Sequence, residues 1–189
     1  SLLTIIKNNK LLEDKIKEKE IPFLMDLGYY DDAYEKAINI KNIITNNISQ
    51  FVTYKNKKGE IIQKKLPNDE YMTQKRVYVN HLHLIAKILI EKGNYTEADT
   101  ILKDAELWIN KEITQFDISM VDNFFLKGVI LTYTNKQKDA LNAFEDAFEL
   151  VNHTHFHFQY LETSAQYAKL TEHLALAYWK DGKIDAATD

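Results

Sequence analysis

The sequence contains no cysteine, two prolines and five glycines among its 189 residues. Without cysteine there is no disulfide scaffold and no thiol chemistry, and a structural zinc site lacks its commonest ligand. The shortage of proline and glycine leaves few forced breaks, while leucine, isoleucine, alanine, lysine and glutamate are plentiful. These residues favour helices, so the composition predicts an all-α protein, organised as a single domain over residues 1–189.

Long uncharged apolar runs are also lacking. No stretch of about 18 residues is apolar throughout, so no membrane span is expected. The first residues, Ser1-Leu2-Leu3-Thr4, show neither the basic region nor the cleavage site of a signal peptide. A trimmed signal peptide would leave no trace, so the compartment stays open, with the cytoplasm as the default expectation.

Charge is distributed unevenly along the chain. Residues 1–92 carry 16 basic and 12 acidic side chains, whereas residues 93–189 carry 8 and 16. An acidic second half argues against a nucleic-acid-binding face across the chain.

Motifs for catalysis are missing. The sequence has no glycine-rich phosphate loop, no His-Glu-x-x-His and no Gly-x-Ser-x-Gly elbow. Neighbouring carboxylates such as Asp31 and Asp32 would point about 100° apart on a helix. We therefore expect no enzymatic activity and no cofactor.

Three alternating histidines, His153, His155 and His157, form the one weak candidate for a metal site. They share a side only if the segment is extended, since two residues apart on a helix corresponds to about 200°. A polar linker between helices is the favoured interpretation.

A pattern of small and apolar residues recurs around the glycines. Two of them precede Gly93, Ala86 by seven positions and Leu89 by four. Three follow it, Ala98 after five positions, Leu102 after nine and Ala105 after twelve. The same grid fits Asn135 and the first half of the Gly182 region, and it fits Gly28 in its second half.

Each of these positions suits a left-handed residue that ends one helix, with Asn135 as the usual substitute for glycine. Thr96, Asp31 and Asp185 then stand where a side chain could cap the following helix. The helical pattern is expected near 2–20, 22–27, 31–49, 70–92, 96–110, 118–134, 137–151 and 158–181.

Small residues pair across these turns, Ala86 with Ala98 and Gly128 with Ala140. We expect two helices to approach closely there, so that a larger side chain would overpack the contact by roughly 1–3 kcal/mol.

This arrangement resembles the tetratricopeptide repeat (TPR), a helix-turn-helix unit with these small positions. The resemblance implies a TPR-like solenoid of about 7–9 antiparallel helices in pairs. Its units are approximately 11–50, 70–111, 117–152 and 158–189. Anchor alanines lie 42 to 65 residues apart, against about 34 in the family, as in the irregular long-helix repeats of bacterial regulatory proteins. The last unit is truncated, so the natural protein is expected to continue.

Aromatic residues are divided between core and groove. Helical spacing places Phe144, Phe148, Tyr133 and Tyr178 toward neighbouring helices, whereas Phe125 and Trp179 are candidates to face a groove.

In the family, the first helices of successive units line a concave ligand-binding surface. Mapped onto this sequence, that surface comprises Asn80, His83, Lys87, Asp122, Phe125, Val129, Lys169, Glu172, His173 and Trp179. Its mixture of polar residues and apolar anchors suits a protein or peptide partner. The resemblance implies a non-catalytic interaction scaffold, a sensory or regulatory module of a larger bacterial signalling protein. A receptor for a signal peptide or small ligand and a homo-oligomerisation module are the alternatives.

The segment 51–66 does not follow the helical pattern. β-Branched and aromatic residues flank Asn56-Lys57-Lys58-Gly59, which is typical of a turn with a left-handed glycine. The segment is predicted to be a short β-hairpin or a loop. Its lysines could contact an acidic partner, or could only prevent self-pairing of an edge strand.

Overall fold

The computed structural model describes residues 20–56, 58–113, 117–153, 165–183 and 186. The described chain is mostly helical, in agreement with its composition. It divides into two compact units, residues 1–81 and 82–189. Within the described ranges, no helix has the length and apolar character needed to cross a bilayer.

The first unit contains a helical segment at 20–26 and a longer helix, α1 (Tyr30–Asn47). Strands β1 (Phe51–Lys55) and β2 (Ile61–Lys65) come next. Helix α2 (Asn68–Glu91) follows and crosses the unit boundary. The second unit adds α3 (Tyr95–Glu112), α4 (Ile118–Tyr133), α5 (Gln137–His153) and α6 (Ala165–Lys180). Apart from residue 20, the helix expected at 2–20 lies outside the described residues.

Four helix ends share one backbone geometry, as the recurring pattern predicts. Gly28, Gly93, Asn135 and Gly182 have φ angles of 78°, 76°, 58° and 80°. At each, the backbone N–H of this residue donates to the carbonyl three positions earlier, and the next N–H donates to the carbonyl five positions before it. These paired bonds are a Schellman motif, which satisfies carbonyls that the helix end leaves free.

The predicted caps of the following helices are wrong in two cases. Helices α1 and α3 begin directly after the turn, at Tyr30 and Tyr95, so Asp31 and Thr96 are already their second residues. The N-cap positions are Tyr29 and Asn94, and neither side chain makes a capping hydrogen bond. The Schellman turn leaves one residue, the N-cap, between the left-handed position and the next helix, whereas the cap prediction placed the N-cap three residues after the left-handed position. Asp185 lies outside the described residues.

The predicted close contacts are buried. Ala86, Ala98 and Ala140 are fully inaccessible to solvent. At Gly128 the neighbour is an aromatic ring: a Cβ built there would lie 2.5 Å from Cε1 of Phe144. The small residue on α4 therefore makes room for the Phe144 side chain, which the sequence pattern alone did not identify.

Phe144 lies at the centre of the second unit's core. The side chain is only 1% exposed, and α4, α5 and α6 supply the apolar residues of its cluster, including Val121, Leu141 and Leu170. Helix α5 is the most amphipathic of the three, and its apolar face contributes Leu141, Phe144 and Ala147 to this cluster.

Segment 51–66 forms the hairpin alternative of the sequence analysis. β1 and β2 pair antiparallel, with Thr53 opposite Gln63. Gly59 has φ 81°, as the turn requires, and Oδ1 of Asn56 accepts hydrogen bonds from the backbone N–H groups of Lys58 and Glu60, at 2.9 and 3.0 Å. The Ser49 N–H donates to Oε1 of Gln74 at 3.2 Å, which ties the start of the hairpin to α2.

Candidate functional site

A groove lies on the second unit, where the C-terminal end of α4, the start of α5 and the C-terminal half of α6 meet. Its cavity has a volume of about 170 Å³. The lining residues are Val129, Thr132, Tyr133, Gln137, His173, Leu176, Ala177 and Lys180. Apolar atoms make up most of the surface of the groove. We call these eight residues the groove.

One wall of the groove is an exposed tyrosine. Tyr133 is 60% exposed, and its ring stacks on that of Tyr95 with centroids 5.3 Å apart and an interplanar angle of 10°. The expectation that Tyr133 packs in the core is therefore wrong. The residue is the last of α4, where the Schellman turn leads the chain away before the neighbouring helix can cover the ring.

The opposite wall comes from α6. Leu176 is 46% exposed although it is a large apolar residue, and Ala177 is 6% exposed beside it. Lys180 follows one turn later in the exposed last turn of α6. The groove therefore offers an apolar surface with a cation at one end.

The floor contains His173, which belongs to an aromatic cluster. Its ring stacks on Phe144 at 5.5 Å between centroids and meets Phe125 edge-on at 5.2 Å. Burial is the main cause that lowers the pKa of His173, opposed by the nearby Glu172 carboxylate and assisted by Lys169 and Lys180. The imidazole is therefore predominantly neutral at pH 7 and contributes a flat, weakly polar surface.

Among the predicted concave-face residues, Val129 and His173 line the groove. Phe125 is half-buried beneath it, between Phe144 and His173, and so supports the floor instead of presenting a free anchor. Phe125 on α4 and His173 on α6 are nevertheless in direct ring contact.

A second group of predicted residues lies where α2 meets α4. His83 is 2% exposed, and its Nε2 lies 3.1 Å from Oδ1 of Asn123, a residue that sequence reasoning did not select. Among the described residues, neither Nδ1 of His83 nor Nδ2 of Asn123 has a hydrogen-bond partner. The predicted residues Lys87 and Asp122 are half-buried and act electrostatically on this histidine.

Burial lowers the pKa of His83, and Lys87 acts in the same direction, while Asp122 and the Asn123 hydrogen bond oppose them. A neutral ring suits the site because Oδ1 of Asn123 accepts from Nε2–H, whereas protonation would add a buried N–H at Nδ1.

This burial predicts a pH-dependent stability. When the folded-state pKa lies below the unfolded value of 6.5, the unfolded state binds more protons in acid. The contribution of His83 to the free energy of unfolding is therefore fully present above pH 6.5 and is lost as the pH falls toward the folded-state pKa. Urea unfolding at about pH 7.5 and about pH 5.5 should show the loss, and His83→Gln should reduce it. Equal losses in the two proteins would contradict the assignment to His83.

The remaining predicted residues are dispersed. Asn80 is exposed on the part of α2 that belongs to the first unit. Lys169 and Glu172 are exposed on α6, and Trp179 is 63% exposed but does not line the groove. The side chain of His153 and all of His155 and His157 lie outside the described residues. The described residues contain no cluster of three or more potential metal ligands.

Six groove residues were missed by the sequence mapping: Thr132, Tyr133, Gln137, Leu176, Ala177 and Lys180. Tyr133, Gln137 and Lys180 stand within two positions of a turn, closer than any offset that the mapping used. Leu176 stands six positions before Gly182, the offset that gave Lys87 and Val129, but the mapping did not apply that offset to α6. Leu176 could have been noticed in the sequence, because it is a large apolar residue that the pattern around Gly182, with Ala175 and Tyr178, does not include. Asn123 carried no comparable signal, since its neighbour Asp122 was the more obvious polar candidate.

The comparisons with known proteins assign no family. The chain matches no protein-family model, and the search of curated proteins also returned no match.

Proposed function

We propose that this chain is a TPR-like helical repeat module that binds a protein or peptide partner without catalysing a reaction. The groove carries the proposal, because it provides a mainly apolar surface between consecutive helices. The Schellman turns at Gly28, Gly93 and Asn135 support the TPR-like arrangement, since each joins two helices with the same backbone geometry. By the resemblance to bacterial regulatory proteins, the module would serve a sensory or regulatory chain.

The size of the groove favours a peptide over an enclosed small molecule. Its volume of about 170 Å³ is below the roughly 300–1,000 Å³ typical of small-molecule pockets. A single apolar side chain fits such a depression, while the rest of a peptide crosses the surface. Peptide helices dock in this way by inserting a few anchors into a groove.

The residues at the margin define the expected ligand. Leu176 and Tyr133 provide the exposed apolar contact area, which an aromatic or aliphatic anchor would bury. Lys180 would pair with a carboxylate placed about one helical turn from that anchor. The preferred ligand is therefore an amphipathic peptide with one large apolar residue and a nearby acid.

A peptide-display selection against the full chain tests this function. Selected peptides should share the apolar residue and the acid, and calorimetry should give a single site. Leu176→Asp places a charge in the groove and should weaken binding roughly tenfold, which corresponds to about 1.4 kcal/mol.

Leu107→Asp is the matched control, because Leu107 is 67% exposed on α3 and does not line the groove. This variant should bind like the wild type. Equal weakening by both substitutions, or selected peptides whose binding ignores Leu176, would exclude the groove as the binding site.

Two alternative functions give different results. A small-ligand receptor would show a raised melting temperature with a metabolite and no peptide consensus. A homo-oligomerisation module would show concentration-dependent association in sedimentation experiments, and Leu176→Asp would abolish it if the groove were the interface.

A further inference from the structure

The hairpin in the first unit presents a second interaction surface, separate from the proposed peptide groove. Within the described part of the chain, β1 and β2 form a two-stranded sheet and no third strand pairs with either. A sheet edge of this kind exposes a row of backbone donors and acceptors that can pair with an added strand.

The register determines which backbone groups face outward. The Asn56 N–H donates to the Glu60 carbonyl, and the Leu66 N–H donates to the Gln50 carbonyl. In an antiparallel pair, hydrogen-bonded and non-hydrogen-bonded positions alternate. Hence Phe51 with Lys65, Thr53 with Gln63, and Lys55 with Ile61 are non-hydrogen-bonded pairs, whose backbone groups point away from the partner strand.

The two outer edges are not equivalent. On β1, the Ser49 hydroxyl occupies the edge at Phe51: it donates to the Phe51 carbonyl at 2.8 Å and accepts from the Phe51 N–H at 3.1 Å. On β2, Ile61, Gln63 and Lys65 have no such side-chain bond among the described residues. The β2 edge, defined as the outward backbone groups of these three residues, is therefore open at all three positions, whereas the β1 edge is occupied at Phe51.

Side chains along β2 indicate the chemistry of the added strand. Ile61 is 71% exposed, and Gln63, Lys64 and Lys65 are also exposed. Segment 51–66 contains five lysines and one glutamate, which gives it a net charge of +4. A neighbouring strand would gain by placing an apolar residue beside Ile61 and acidic residues beside Lys64 and Lys65.

We propose that the β2 edge binds an extended acidic segment of a partner protein, which adds as a third strand to the hairpin. A second copy of the same hairpin fits less well, because lysines would face lysines across the contact. Nucleic acid or an anionic membrane would satisfy the lysines but could not pair with the alternating N–H and carbonyl groups of the edge.

The probe is a synthetic peptide about eight residues long, tested against the full chain, with valine at the position that faces Ile61 and glutamates at the positions that face Lys64 and Lys65. Fluorescence anisotropy should detect binding, and the amide signals of Ile61, Gln63 and Lys65 should shift in NMR spectra. The lysine–valine counterpart should not bind. Combined Lys64→Glu and Lys65→Glu should weaken binding roughly tenfold, whereas Lys58→Glu in the turn should have little effect.

A backbone test separates strand addition from simple charge attraction. Gln63→Pro removes an outward N–H without removing a bond between β1 and β2, so it should weaken binding while Gln63→Ala does not. If proline disrupts the hairpin, the same test uses the peptide with alternate amides N-methylated, which should not bind the unaltered chain.

Three results would overturn the proposal: binding that tolerates the N-methylated peptide, no binding of the acidic peptide, or tighter binding to duplex DNA or phosphatidylserine vesicles than to the peptide. None of them bears on the groove, whose test depends on Leu176.

Discussion

Replacing Phe144 with alanine is expected to lower the free energy of unfolding by about 3–5 kcal/mol, the usual cost of truncating a buried phenylalanine. The side chain is 1% exposed and lies in the cluster formed by α4, α5 and α6. Its ring also contacts Phe125 and His173, with centroids 5.9 and 5.5 Å away. Truncation therefore removes apolar burial, leaves a cavity and takes two aromatic contacts from the groove floor.

Urea unfolding followed by circular dichroism measures this loss. Phe148→Ala is the matched control, since Phe148 lies one turn later on α5 but is only partly buried, with its ring stacked 6.1 Å from Tyr167. The control should lose clearly less stability. Similar losses for the two substitutions would mean that Phe144 does not have the central role that its burial indicates.

Introducing leucine at Gly128 should lower the free energy of unfolding by about 3 kcal/mol, at the upper end of the overpacking range. Even a Cβ would lie 2.5, 2.7 and 2.8 Å from three ring atoms of Phe144. The ring has little room to retreat, because Phe125 and His173 lie on its other sides. Alanine at this position gains about 1 kcal/mol of helix propensity over glycine, so Gly128→Ala should cost less.

The double variant with Phe144→Ala tests the specific contact. A leucine at position 128 would then occupy space that the ring has left, so the two losses should not add, and the coupling should fall within roughly 0.5–3 kcal/mol. Additive losses would show that Gly128 is small for some reason other than Phe144. The two single variants serve as the references of the cycle.

Gly128 and Phe144 also show how much of the helix packing the sequence predicts. The grid around Asn135 identified Gly128 as a small residue at a close contact and Phe144 as a residue directed inward, and both are buried. It paired Gly128 with Ala140, however, whereas Phe144 is the side chain that fills the space. Offsets along one helix give the face of a residue, but the partner across the contact depends on how two helices cross.

The residues of the groove were likewise predicted only in part. Val129 and His173 were selected from the sequence because their offsets from the turns map to the family's concave surface, and both line the groove. Phe125 was selected by the same rule but supports the floor, and Tyr133 was assigned to the core but forms a wall. Exposure at a helix end depends on where the following helix runs, and the sequence spacing does not specify that direction.

The sequence by itself determined most of the described helices and the four left-handed turns, and it limited segment 51–66 to a hairpin or a loop, because these features depend on residues close together along the chain. A glycine or asparagine tolerates positive φ, and a short β-branched segment around a turn can pair with itself. The tertiary structure alone decided that His83 is buried against Asn123, that Phe144 occupies the space beside Gly128, and that Leu176 and Tyr133 border one groove. Two of these three contacts join residues 40 or more positions apart, His83 with Asn123 and Tyr133 with Leu176. Gly128 and Phe144 are closer in sequence but lie on different helices, so packing between helices had to fix all three.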